Sequence, residues 1–187
     1  GIQSGDVGSA FLAAQTAVYC GFFASEPLAT CEERAALFCH QMKEYSQQTW
    51  HSMTVPYWQM FLNLMKDVED PLVLTGDAMV EEELAVAAER EKNELILRTL
   101  ALAKLELALF FGLWGPGAEL ARFLMKGSEQ ATAHINYYIF QFCAAMVFMN
   151  AANDAACTMI REYRRKARKA IGEVRKGLKK GFVNNAP

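Results

Sequence analysis

Apolar side chains recur at spacings of three and four residues along most of the chain, which is the period of an amphipathic α-helix. This pattern predicts helices over about residues 6–24, 27–48, 57–66, 77–94, 95–111, 118–126, 131–150 and 155–180. The connections between successive helices are short, so neighbouring helices are expected to run antiparallel as hairpins. The predicted fold class is therefore all-α.

Residues 50–76 form the most distinctive segment, because they are rich in aromatic residues and methionine. Pro56 lacks a backbone N–H and clashes with the preceding turn. It therefore either kinks one long helix or marks the start of a new helix with Thr54 as its N-cap. Residues 71–76 are expected to form a short extended link to the acidic helix at 77–94.

Two glycine signals divide the second half of the chain. Residues 95–111 are almost continuously apolar, which predicts a central helix packed on more than one side. The sequence GLWGPG at 112–117 predicts a turn, and Gly127 is the expected carboxyl-terminal cap of the short helix that follows.

The last predicted helix, 155–180, combines a narrow apolar stripe with ten basic residues and only two acidic ones. The rest of the chain is acidic, so charge asymmetry is its strongest electrostatic feature. Three interpretations are open: a solvated face that complements the acidic helix or an acidic neighbour, a surface for anionic lipid or nucleic acid, and a calmodulin-like contact. The first is favoured. The candidate residues for an anionic partner are Arg161, Arg164, Arg165, Arg168, Lys169, Arg175 and Lys176.

The residue types that carry catalysis or bind metals occur outside the patterns that their chemistry requires. The five cysteines include no CxxC pair, and no histidine belongs to an HExxH or ExxH motif. The consecutive residues Glu81, Glu82 and Glu83 point in different directions on a helix, which favours a solvated face over a metal site. We therefore expect no catalytic, cofactor-binding or metal-binding residues.

Length and composition indicate a protein that folds by burial alone. The 187 residues suffice for one well-buried domain, and no apolar run reaches the roughly 18 residues of a membrane span. Buried free thiols are typical of a reducing compartment and predict a cytoplasmic location. We expect residues 1–187 to form a single helical-repeat domain that is a fragment of a longer array.

Three segments resemble, in order and spacing, the tetratricopeptide-like helical region of large multidomain signalling ATPases. They are LFCHQMKEYSQQTWHSMTVPYWQMFLNLMKDVEDPLVLTGDAM, LALFFGLWGPGAELARFL and REYRRKARKAIGEVRKGLKK. Such proteins of unicellular eukaryotes combine an AAA/STAND-type ATPase with kinase-like or nucleotide-cyclase domains. The resemblance covers nearly the whole chain and implies an α-solenoid arm of about four hairpins.

Within this resemblance, Phe110, Phe111, Gly112 and Trp114 look like the turn between two repeat helices. The segment Gly115, Pro116 and Gly117 departs from the usual short connection and leaves the register of the next helix open. The family's ATPase and kinase residues have no counterpart in this chain.

The expected function is a non-catalytic protein–protein interaction or sensor arm that contacts a protein partner or neighbouring domains of the parent protein. The candidate partner-binding residues are Trp50, Tyr57, Trp58 and Phe61, although a role in the core is favoured for most of them. The rival class is an enzyme or a ligand-binding helical bundle. In that class the same aromatic residues, with Met60 and Met65, would line an enclosed apolar pocket.

Overall fold

A computed structural model of the chain describes residues 7–126, 135–154 and 158–179. Across these ranges the chain forms eight α-helices and no strand, which confirms the all-α class. The helices are α1 (Val7–Phe23), α2 (Leu28–Glu44), α3 (Gln48–Met65), α4 (Glu81–Arg90), α5 (Glu94–Phe110), α6 (Trp114–Met125), α7 (Ile135–Ala151) and α8 (Ile160–Lys179).

The chain divides into two compact units, residues 1–103 and 104–187, with the boundary inside α5. In the first unit, α1, α2 and α3 all pack against one another. In the second unit, α7 packs against both α6 and α8. In the second unit α7 is therefore the helix that both neighbours share, whereas the three helices of the first unit contact one another mutually.

Aromatic residues from α1 and α3 form the core of the first unit. The ring of Tyr19 meets that of Tyr57 edge to face with centroids 5.1 Å apart, and the rings of Phe22 and Phe61 lie 5.3 Å apart. Phe61 is fully buried. These contacts place the predicted apolar stripe of α3 inside the unit.

Pro56 lies inside α3, which continues through it from Gln48 to Met65. A second helix starting at Pro56, one of the two predicted alternatives, is therefore not formed. Thr54 is not an N-cap: its Oγ1 donates a hydrogen bond to the carbonyl of Trp50 at 2.8 Å, as a residue inside a helix does. Thr54 and Pro56 are both buried, so packing against α1 and α2 stabilises the helix across the proline.

Three helix boundaries differ from the predicted ones for local reasons. The second helix ends at Glu44 because the chain turns at Ser46, which has a φ of 54°. The acidic helix begins only at Glu81, because a loop with its own hydrogen bonds occupies the preceding residues. The turn predicted at 112–117 is shorter: Gly112 has a φ of 68°, and α6 already begins at Trp114. Pro116 is tolerated there because the first turn of a helix has N–H groups without intrahelical partners.

The helices predicted at 131–150 and 155–180 are observed as α7 and α8 from Ile135 and Ile160 onwards. The predicted cap at Gly127 and the first residues of both predicted helices lie outside the described residues. Contacts between α7 and α8 show that the two helices run antiparallel. The start of α7 lies near the end of α8, where Tyr138 adjoins Gly177, and the ring of Phe148 lies 5.5 Å from that of Tyr163.

We predict that Phe61→Ala lowers the free energy of unfolding by ~3–5 kcal/mol, because it removes a fully buried ring from a packed core. The measurement is urea denaturation followed by circular dichroism. Leu37→Ala is the matched control, since Leu37 is 54% exposed on α2 and its truncation is expected to change stability by less than ~0.5 kcal/mol. Equal effects of the two substitutions would contradict this assignment of the core.

Candidate protein-interaction surface

The four predicted partner-binding aromatic residues do not lie on one surface. Tyr57 and Phe61 are buried against α1, whereas Trp50 and Trp58 are half-buried. The indole Nε1 of Trp58 donates a hydrogen bond to Oε1 of Glu32 at 2.7 Å. Tyr57 and Phe61 therefore act in the core, and only Trp50 and Trp58 retain exposed area.

The loop between α3 and α4 is fixed to α3 by two buried amides. Asn63 Nδ2 donates to the carbonyls of Pro71 and Val73 at 3.1 and 2.8 Å, and Gln59 Oε1 accepts from the Ala78 N–H at 3.0 Å. Glu81 Oε2 accepts from the Leu74 N–H at 2.7 Å. This carboxylate thus helps to order the loop.

The described cysteines are free thiols. Cys31, Cys39 and Cys143 are buried, and Cys20 is half-buried. Burial raises the pKa of the Cys39 thiol to about 12 and raises that of Cys143 well above its usual value. Within the described ranges, no group of three or more His, Cys, Asp or Glu side chains is arranged to hold a metal ion.

The seven predicted basic residues of α8 all share one exposed face. At 100° per residue they fall within a sector of about 140°, and Lys179, which the prediction omitted, lies in the same sector. We call this set the basic face: Arg161, Arg164, Arg165, Arg168, Lys169, Arg175, Lys176 and Lys179, all exposed.

The opposite side of α8 is packed, which turns the basic face outward. Tyr163, Ala167, Ala170 and Gly177 are buried on that side. Tyr163, Ala167 and Ala170 belong to the apolar stripe that the spacing predicts, and α8 packs against α7. Ile160 and Leu178, at the two ends of the predicted stripe, are exposed.

The two acidic residues of α8 lie at the edge of the basic face and form local ion pairs. Glu162 lies 3.7 Å from Arg122 of α6, and Glu173 lies 2.6 Å from Lys176. The hydrogen bond from Lys176 lowers the pKa of Glu173. Among the described residues, no acidic side chain lies within ion-pair distance of Arg161, Arg165 or Arg168.

A second exposed feature lies on α7. The continuous apolar sequence of this helix predicts burial on all sides, which is wrong for one row of side chains. Phe142 is 50% exposed and Met149 is 38% exposed, while Ile139 and Met146 are half-buried. Spacings of three, four and three residues place these four side chains in one row, which we call the α7 apolar stripe. Sequence reasoning missed it because α7 is apolar on all sides, so hydrophobicity does not separate its covered and uncovered faces.

Two concave regions of the first unit lie away from the residues assigned to the rival class. One follows α4 and includes Val80, Glu83 and Val86, and the other lies between α1 and α2 and includes Phe11 and Phe38. The aromatic residues and the two methionines predicted to line a ligand pocket line neither region. Met60 is fully buried, and Met65 is 48% exposed.

No protein-family model, curated protein or solved structure matches the chain. The chain's own residues are therefore the basis for assigning a site. None of the described helices has both the length and the apolar character needed to cross a bilayer.

His51 of α3 is a buried titratable group whose charge is disfavoured. Burial, followed by the charges of Lys43 and His40, lowers the pKa of His51 to about 4. Between pH 6.5 and 4 the unfolded chain therefore binds a proton at this position that the folded chain does not bind. Stability that His51 contributes at neutral pH is lost as the pH falls through this window.

We predict that His51→Leu reduces the fall in unfolding free energy between pH 6.5 and 4, because the variant has no imidazole to protonate. The measurement is urea denaturation at a series of pH values. Leu37→Ala is the control, since Leu37 is exposed and its truncation leaves His51, Lys43 and His40 in place. If the unfolding free energy of the His51 variant falls as much between pH 6.5 and 4 as that of the parent chain, His51 is not the source of the pH dependence.

Proposed function

We propose that the chain is a non-catalytic protein–protein interaction or sensor arm built from antiparallel helical hairpins in the manner of a tetratricopeptide-like solenoid. Its all-helical described structure supports this proposal. So does the packing of sequence neighbours, since α1 contacts α2, α2 contacts α3, α6 contacts α7, and α7 contacts α8. In such arrays each hairpin buries one side on its neighbours and leaves the other for a partner.

The resemblance to the helical region of multidomain signalling ATPases supports a place for this arm in a larger cytoplasmic protein. In that setting the partner is another protein or a neighbouring domain of the parent. Any reaction then belongs to other domains, and this chain supplies the binding surface.

The observation that carries the proposal is the basic face of α8. Arg161 and Arg165, like Arg164 and Arg168, are like charges four residues apart, an arrangement that destabilises a helix by ~0.2–0.5 kcal/mol per pair. Packing of the other side of α8 against α7 keeps the helix formed in spite of this repulsion. An anionic partner would relieve it, so the basic face is suited to binding an acidic surface.

A protein partner fits the surface better than a bilayer or a single-stranded nucleic acid. Tyr163, Ala167 and Ala170 of α8 are buried, and α8 packs against α7, so this side of the helix is not available to enter lipid as an amphipathic membrane helix would. Tyr163, the aromatic residue of α8, is buried against Phe148 and offers no stacking surface for bases.

We predict that reversing three charges of the basic face, with Arg161, Arg165 and Arg168 each changed to Glu, abolishes partner binding without unfolding the chain. Affinity capture from nuclease-treated, detergent-cleared extracts of cells that contain the protein measures the effect. Wild-type protein should retain partners that elute with increasing salt, because contacts between exposed charges are screened.

The matched control changes Lys43, Arg90 and Lys92 to Glu, which alters net charge by the same amount at exposed positions of the first unit. This control should capture the same proteins as the wild-type chain. Equal capture by the α8 variant and the wild-type chain would contradict the proposed function. So would capture by the wild-type chain that occurs only in extracts not treated with nuclease.

A further inference from the structure

We infer that the basic face of α8 and the α7 apolar stripe together form one docking surface for an acidic amphipathic helix of a partner protein. This inference rests on the proposed function and names the chemistry of the partner. It depends on the two features lying side by side and on their matching one ligand in shape, charge and length.

Contacts between α7 and α8 place the two features on the same edge of the helix pair. At the opposite edge, the Tyr137 hydroxyl lies 3.3 Å from Glu173 Oε2, and Glu162 of α8 pairs with Arg122 of α6, so that opposite edge faces α6. Phe142 lies about 140° around α7 from Tyr137, and Leu178 lies about 140° around α8 from Glu173. Both therefore belong to the other edge, away from α6.

Tyr138 marks the junction at that other edge. Its ring lies against Gly177, and its position on α7 is only about 40° from that of Phe142. On α8 the exposed apolar residues of this edge are Ile160, 37% exposed, and Leu178, 53% exposed. The result is an apolar strip along the junction of two antiparallel helices, bordered on the α8 side by the arginines of the basic face.

An acidic amphipathic helix complements each part of this surface. Apolar side chains at i, i+3 and i+7 would lie on the strip, as in other helix-in-groove complexes. Carboxylates on the flank of the same helix would meet Arg164, Arg168 and Arg175, and pairing with arginine can be bidentate. The basic face runs for about 27 Å from Arg161 to Lys179, which a bound helix of five turns matches.

The acidic helix of a second copy of this chain fits less well. Its α4 has ten residues and is about 15 Å long, roughly half the length of the basic face. In addition, the carboxylate of Glu81 already accepts a hydrogen bond from its own loop. A longer acidic helix from another protein therefore satisfies more of the surface.

The test measures binding of the full chain to a fluorescent synthetic helix of 20 residues, the length of α8, by fluorescence anisotropy. The probe carries leucine at i, i+3 and i+7 spacing and glutamate on the flank. A probe of identical composition but scrambled order, which has no single apolar face, is the matched ligand. We expect the amphipathic probe to bind at least about tenfold more tightly, which corresponds to about 1.4 kcal/mol.

Two variants test the α7 apolar stripe and the basic face separately. Phe142→Gln and Arg168→Gln should each weaken binding of the amphipathic probe about tenfold. Leu37→Gln and Arg90→Gln are the matched controls at exposed positions of the first unit and should bind like the wild type. Thermal unfolding of each variant establishes that the fold is retained, which is expected because all four side chains are largely exposed.

Any one of four outcomes overturns the inference. Equal binding of the two probes, or no effect of Phe142→Gln, would show that charge alone governs binding. Tighter binding to phosphatidylserine vesicles than to the amphipathic probe would assign the surface to lipid. Self-association of the chain that Arg168→Gln abolishes would assign it to a second copy.

Different experimental results would contradict the inference and the proposed function. If cellular partners are lost on reversal of the basic face but retained by Phe142→Gln, the interaction arm stands and the amphipathic helix is excluded. If reversal has no effect on cellular partners, the proposed function itself fails.

Discussion

The close approach of α7 and α8 is the contact on which the structure of the second unit depends. Gly177 permits it, because a Cβ atom at this position would lie 2.5 Å from ring atoms of Tyr138. At that spacing the small residues Ala167 and Ala170 are buried and the basic face is turned outward. A helix with so many like charges gains little stability by itself, so its order follows from this packing.

In the first unit α3 packs against both α1 and α2, which also pack against each other. Its burial on α1 and α2 accommodates Pro56 within a continuous helix and orders the following loop through Asn63. The consequence for function is a division of roles. Tyr57 and Phe61, two of the aromatic residues that stand out in the sequence, lie in the core, whereas the cations of α8 remain on the surface.

The sequence predicted helix type and order well, since long three-and-four periodicity depends on local pattern alone. The basic residues of α8 that the spacing singled out are exposed, because charged side chains with regular spacing have few alternatives to solvent. The sequence could not decide whether Pro56 lies inside one continuous helix or starts a second one, because tertiary packing determines which of the two forms. The sequence also could not predict that Phe142 is exposed. In an apolar helix such as α7, the neighbouring helices determine which face is covered.

The packing of α8 is tested most directly by two identical substitutions in the same helix, Gly177→Ala and Gly172→Ala. Hydrogen exchange of the α8 amides, read by mass spectrometry, gives the stability of the helix in each variant. A Cβ atom added at Gly172 would meet no neighbouring atom within 4 Å, so alanine there should increase protection by ~0.5–1 kcal/mol through helix propensity. Gly177→Ala should decrease protection, because the methyl group meets Tyr138. Increased protection in both variants would contradict the close α7–α8 contact and, with it, the outward orientation of the basic face.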